Sequence, residues 1–219
     1  MELRQHFSQS MSVLYQNILR MGTMVEEAHQ KALIALSDRD LGLAREVIEG
    51  DAKVDEMQAT IEDQCARLIA TEQPVATDMR EIFTAVKIVS NMERIGDHAR
   101  HVARAVEKVN DPTFLATIPR FKQLAQIGIL MVHDVITAFV EQDADKAREI
   151  AGRDDQIDRM HDELTKELIA LMKKNPESIE QGMTMILLAR FMERMGDHVT
   201  NMCEWIVFAK QGRHIELNN

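Results

Sequence analysis

The sequence predicts an all-α protein built as two tandem, sequence-repeated three-helix bundles, and three observations carry that prediction. The helix formers Ala, Leu, Met, Glu, Lys, Arg and Gln dominate, while aromatics are only 4% and β-branched runs bounded by turn signals are missing, which leaves little to build a sheet. The chain also repeats itself: "NMERIGDH" (91–98) returns as "FMERMGDH" (191–198), and "LAREVIEGDAKVDEM" (43–57) resembles "KAREIAGRDDQIDRM" (146–160). Within each copy, apolar residues advance by alternating steps of four and three, the seam spacing of left-handed helix packing.

Helix one shows the seam most fully, through Phe7, Met11, Leu14, Ile18, Met21, Val25, Ala28, Ala32 and Ala35, and "SDRD" (37–40) ends it. Helix two carries Val47, Asp51, Val54, Gln58, Ile61, Cys65 and Leu68 up to "TEQP" (71–74). Helix three carries Ile82, Val86, Val89, Glu93, Gly96, Arg100 and Ala103. "VNDPTFLATIP" (109–119) is the one plausible linker, dividing the repeats into 1–112 and 113–219. In the second copy helix four ends at "EQDAD" (141–145). Helix five has the seam Ile150, Asp154, Ile157, His161, Leu164, Leu168 and ends at "KKNPES" (173–178). Helix six has Gly182, Ile186, Ala189, Glu193, Gly196, Thr200 and Cys203. Six helices of about 25 to 35 residues result, antiparallel between neighbours because the connections are short.

A formal charge of −10 argues against direct binding of nucleic acid, which needs a basic patch. The two cysteines, Cys65 and Cys203, offer no disulfide framework and no zinc spacing. The amino terminus lacks the apolar core of a signal peptide. The most apolar run, "MTMILLARFM" (183–192), is short and interrupted by Arg190, so it cannot span a bilayer. A cytoplasmic protein is expected, meeting membranes only through partners.

The anomaly is acid in the seams. Asp51, Glu93, Asp154 and Glu193 stand where apolar residues are expected, and each has a second acid four residues on: Asp55, Asp97, Asp158 and Asp197. An i, i+4 pair shares a helix face at about 6 Å. Asp51 and Asp97 are equally far from Pro74, as are Asp55 and Glu93, and the second copy has the same symmetry about Asn175 and Pro176. Four carboxylates should therefore face one another in each bundle.

Such a cluster must protonate or take up positive charge. An all-oxygen site suits hard ions such as Mg²⁺, Mn²⁺, Ca²⁺ or iron, with Zn²⁺ a further divalent choice. The competing reading is neutralisation by arginine: Arg100 lies in the seam of helix three, and Arg94 and Arg194 follow the key glutamates. At position 200 the second copy has Thr, and Arg194 points about 100° away from Glu193. A third reading puts one or two of the acids at the surface. Gly96 and Gly196 leave room for ions or for a close helix approach. His98 and His198 turn away from the carboxylate face, and His161 sits in a seam. No P-loop, nucleophile elbow or dinucleotide-binding glycine pattern is present, so no catalytic residue is assigned. A metal-dependent enzyme or metal store on the carboxylate clusters is the alternative reading.

"DAKVDEM", "EQPVATDMREIFTAVKIVSNMERIGDHARHVA", "DDQIDRM" and "ARFMERMGDHVTNM" resemble the PhoU family of phosphate-uptake regulators over nearly the whole chain. The resemblance implies a non-enzymatic cytoplasmic adaptor, usually a homodimer, that works beside the phosphate ABC transporter and its ATPase subunit. It also implies negative regulation of the phosphate-starvation response through a sensor histidine kinase, and restraint of uptake. Metal clusters would fall on Asp51, Asp55, Glu93 and Asp97, then on Asp154, Asp158, Glu193 and Asp197. Two departures stand out. His101 replaces the family's usual Asn, which Asn201 keeps, and Thr200 replaces Arg100 between copies, so the two sites are expected to differ in ion count or affinity.

Overall fold

The computed structural model describes residues 2–217, and every regular element among them is helical. Helices α1 (Glu2–Asp38), α2 (Leu41–Glu72) and α3 (Ala76–Ala105) form the first bundle. After the short α4 (Pro112–Leu115), the second bundle comprises α5 (Ile118–Glu141), α6 (Ala144–Ala151), α7 (Asp154–Lys174) and α8 (Ile179–Gln211). A 3₁₀ turn over Pro176–Ser178 precedes α8.

The turn signals turn out to be helix caps, which is why they stop the chain where they do. The Asp40 carboxylate accepts from the amides of Gly42 and Leu43 at 2.9 and 3.0 Å, and Asp143 accepts from Asp145 and Lys146 at 3.0 and 2.9 Å. Each satisfies donors that the first helical turn leaves open. Asp111 does the same for α4 through Thr113 N–H at 2.8 Å. Gln73 and Gln142 end α2 and α5 in the left-handed region, with φ 47° and 54°.

Three expectations need correction. The linker contains α4, and the fifth helix is broken into α6 and α7 across Gly152 and Arg153. There the Arg153 amide bonds back only three residues, to Ile150 O at 3.0 Å, which tightens and ends α6. Gly152 is a poor helix former, and Asp154 and Asp155 suit the positive end of a new helix. The run 183–192 is also not the most membrane-like segment. Helix α5 is the one described helix long and apolar enough to cross a bilayer, and it is a core helix with Phe121, Leu124, Ile129, Val132 and Val135 buried.

The bundles share one apolar core, from Leu14, Ile18 and Met21 of α1 to Met192 and Met195 of α8. They join where α1 meets α5 and α3 meets α8. The α3–α8 contact is antiparallel, since Arg80 Nε donates to Ala209 O, Thr84 Oγ1 to Trp205 O, and Asn91 pairs with His198. The two glycine–aspartate–histidine motifs thus lie back to back, with the second bundle's octamer facing the first's.

Candidate metal centres

In each bundle the four acids run from core to surface across the groove between two helices. In the first, α2 supplies Asp51, buried at 8% exposure, and Asp55, which is exposed; α3 supplies the half-buried Glu93 and Asp97. In the second, Asp154 is buried at 2%, Asp158 is exposed, and Glu193 and Asp197 of α8 are half-buried. The equal distances from each turn bring these faces together. The outer aspartates of the pairs, Asp55 and Asp158, reach solvent.

The acids sense one another. Burial raises the Asp51 carboxyl, Arg100 pulls it back, and Asp97 and Asp55 add to the rise. Burial and then Asp97 raise Glu93, and burial and then Asp197 raise Asp158 even at its exposed position. Glu193 is pushed up to about 7, by burial first and Asp197 second. Among the described residues, however, no three carboxylate, imidazole or thiol groups converge closely enough to hold an ion as they stand.

Positive charge reaches the two sites differently. Arg100 bridges the first, with Nη1 2.5 Å from Asp51 Oδ2 and Nη2 2.5 Å from Asp97 Oδ1. A guanidinium therefore holds the place a cation would need, and the first site does not fit a metal cluster in this arrangement. In the second, the Thr200 hydroxyl donates to Asp154 Oδ2 at 3.3 Å, and Asp154 is the first residue of α7, where the helix terminus favours an anion. Arg190 pairs with Glu193 Oε1, while the buried Glu193 Oε2 has no hydrogen-bond partner among the described residues. Four oxygen acids, one with an orphaned buried oxygen, fit a hard cation in donor chemistry.

Glycine works differently in the two copies as well. A methyl group on Gly196 would lie 2.1 Å from Asp154 Oδ1, so the missing side chain makes room for the carboxylate itself. On Gly96 the nearest atom would be Val54 Cγ1 at 3.3 Å, a tight contact that a few tenths of an ångström of side-chain movement would relieve.

Three features escaped the sequence reading. Arg190 was legible in principle as an i, i+3 partner of Glu193. His98 and His198 do turn from the carboxylates, as expected, but they meet across the bundle seam, with ring centroids 5.7 Å apart. His98 stacks on Phe191 at 5.2 Å, and burial, then His198, lowers it to about 3. His29 is wholly buried against Ile95 O at 2.8 Å and lowered to about 4 by burial. His161 lies beside Asp162 at 3.4 Å and pulls the Asp158 carboxyl down, at the edge of the acid cluster. Burial pushes Cys65 and Cys203 up to about 12, as befits inert core thiols.

The PhoU domain family matches this chain twice, over residues 18–106 and 121–206. A phosphate-specific transport system accessory protein PhoU homolog from Clostridium acetobutylicum is 34% identical over 217 residues, covering 99% of both chains. The phosphate-specific transport system accessory protein PhoU of Escherichia coli is 32% identical, covering 95% of this chain and 88% of its own. The crystal structure of the phosphate transport system regulatory protein PhoU from Streptococcus pneumoniae superposes with a TM-score of 0.87 at 33% identity, covering 95% of this chain and 99% of that one.

Proposed function

The chain belongs to the PhoU family, and from that premise we propose that it is an accessory protein of a phosphate transport system that represses the phosphate-starvation response and restrains uptake. It acts in the cytoplasm as an adaptor, without catalysis, between the transporter's ATPase subunit and a sensor histidine kinase, and it works as a homodimer. The observation that carries this reading is similarity along the whole length, in both copies, to proteins named as accessories of phosphate-specific transport. The repeat boundary falls at 112/113.

The second acid site, Asp154, Asp158, Glu193 and Asp197, is the metal-binding member of the pair, supported by the orphaned Glu193 oxygen. A bound hard cation would supply the positive charge that lets these acids stay ionised together. Asp51, Asp55, Glu93 and Asp97 would take an ion only after Arg100 swings away.

Alkaline phosphatase activity in phosphate-rich medium tests the regulatory role. A strain lacking the gene should show high activity, and the wild-type gene should silence it. Low activity throughout would sink the reading. A Glu193→Ala/Asp197→Ala form that silences as well as wild type would separate regulation from the acid site.

A further inference from the structure

We propose that the aromatic platform of Phe83, Trp205, Phe208 and His214, with Lys87 over it, docks a partner helix that presents a carboxylate between apolar side chains. The inference rests on the adaptor reading and locates the surface through which that adaptor meets the transporter. The chain has seven Phe, one Tyr and one Trp, and three of these nine stand together here on an outer face. Phe83 is 44% exposed and meets Trp205 edge-on at 5.4 Å. Trp205 meets Phe208 at 5.5 Å. Most of the protein's large side chains are in the core, so a surface cluster in which an exposed Phe83 and His214 flank the half-buried Trp205 and Phe208 calls for an explanation.

The platform is built, with the chain's own tail as one wall. After α8 the backbone reverses at Gly212, whose φ of 70° suits glycine, and His214 returns to stack on Phe208 at 4.2 Å. His214 also meets Trp205 edge-on at 5.0 Å. The tail is held by Leu217 N–H donating to Glu204 Oε1 at 2.9 Å. Rings fixed by one another lose little entropy on binding, which is what makes aromatic residues binding hot spots.

Charge decides what the platform takes. Lys87 Nζ sits 5.4 Å from the centroids of both Phe83 and Trp205. Arg80 lies across the end of α8, bonded to Ala209 O, and Lys210 and Arg213 are exposed there. Of the acids alongside, Glu204 holds the tail, Glu216 lies on it, and the buried Glu81 faces Lys210. On a chain of net charge −10 this is a cationic aromatic island, and it complements an acidic apolar segment. Met79 and Phe83, one turn apart on α3, form the stripe against which a helix would lie.

The molecule carries its own control. Ile179, Met183 and Leu187 occupy the same positions on α8, one hundred residues on, and are 47%, 47% and 53% exposed, with Met and Leu standing where α3 has Phe83 and Lys87. The probe is the purified ATPase subunit of the phosphate transporter, titrated calorimetrically. Phe83→Ser and Lys87→Glu should each weaken binding about tenfold, with Met183→Ser unchanged. Wild-type affinity should fall with added salt, and that dependence should shrink in Lys87→Glu. Circular dichroism melts check that each variant is folded. Absence of wild-type binding would overturn the adaptor reading and this inference with it. Wild-type binding that Phe83→Ser and Lys87→Glu leave intact, or that Met183→Ser weakens equally, would overturn this inference alone. So would retention on phosphatidylglycerol vesicles that depends on Phe83 while the ATPase affinity does not.

Discussion

The two copies set the same acids on corresponding helices, yet they neutralise the innermost one by different means. Asp51 sits inside a continuous α2 and is met by the Arg100 guanidinium, which also holds Asp97. Asp154 begins a helix, is met by the Thr200 hydroxyl, and fits into the space that Gly196 leaves. A side chain does in one copy what backbone does in the other. The break between α6 and α7 is therefore part of the site, since it puts Asp154 where the peptide groups themselves favour negative charge. The cost is that the remaining acids of the second copy have less help: Arg190 satisfies one oxygen of Glu193 and leaves the other bare.

The largest effect should come from making the two glycines alike. Gly196→Ala drives a methyl group into a buried carboxylate head, and we expect a loss of about 3 kcal/mol in stability. Gly96→Ala meets the tip of a Val side chain at 3.3 Å, and alanine's better helix propensity offsets most of that crowding. Its net change should stay within about 1 kcal/mol. Urea unfolding of both variants measures the gap. Equal costs would mean that Asp154 is not seated against Gly196.

That asymmetry also marks where sequence reasoning stops. Spacing placed Asp51, Glu93, Asp154 and Glu193 in the seams and paired them across each hairpin, and the structure has them facing across the groove, because helical period and distance from a turn are purely geometric. Depth is another matter. Whether Asp55 or Asp158 is covered depends on how far two helices splay, and no period encodes that. The break at Gly152 was hidden for a similar reason, since a seam continues in phase across a short interruption. The His98–His198 meeting belongs to contact between bundles, which periodicity within one bundle does not describe. The caps Asp40, Asp111 and Asp143 lay in plain view within the turn signals, because capping chemistry is local.

A second contrast lies in the first helix of each copy. Counted from the capping aspartates Asp40 and Asp143, His29 corresponds to Val132, and both are buried. The folded protein holds His29 neutral down to about 4, whereas an unfolded chain protonates it near 6.5. The unfolded state thus binds the extra proton first as pH falls, and stability drops from about pH 6.5 until the curve levels near 4. Between pH 7 and pH 5 the loss should be about 2 kcal/mol. His29→Val, which copies the second bundle into the first, should remove that part of the slope. Parallel curves for wild type and variant over this window would show that the imidazole is solvated or charged in the fold.

The smallest effect on stability, and the most direct reading of the two sites, comes from exchanging their neutralising residues. Arg100→Thr gives the first copy the second's arrangement and leaves Asp51 and Asp97 facing each other without a counter-charge. The bridge is partly exposed, so the loss in chelator-treated protein should be only about 1 kcal/mol at pH 7. The informative quantity is the response to Mn²⁺. A cation that binds only the folded state raises the melting temperature in proportion to the logarithm of its concentration above Kd. Wild type should show this response through the second site, and Thr200→Arg should remove it by placing a guanidinium beside Asp154 and Asp197. Arg100→Thr should enlarge it, because a second set of acids becomes open to the ion. If Thr200→Arg responds to Mn²⁺ like wild type, the ion binds elsewhere. If Arg100→Thr loses stability but gains no response, the guanidinium in the first copy is structural and the two sites have parted in function as well as in form.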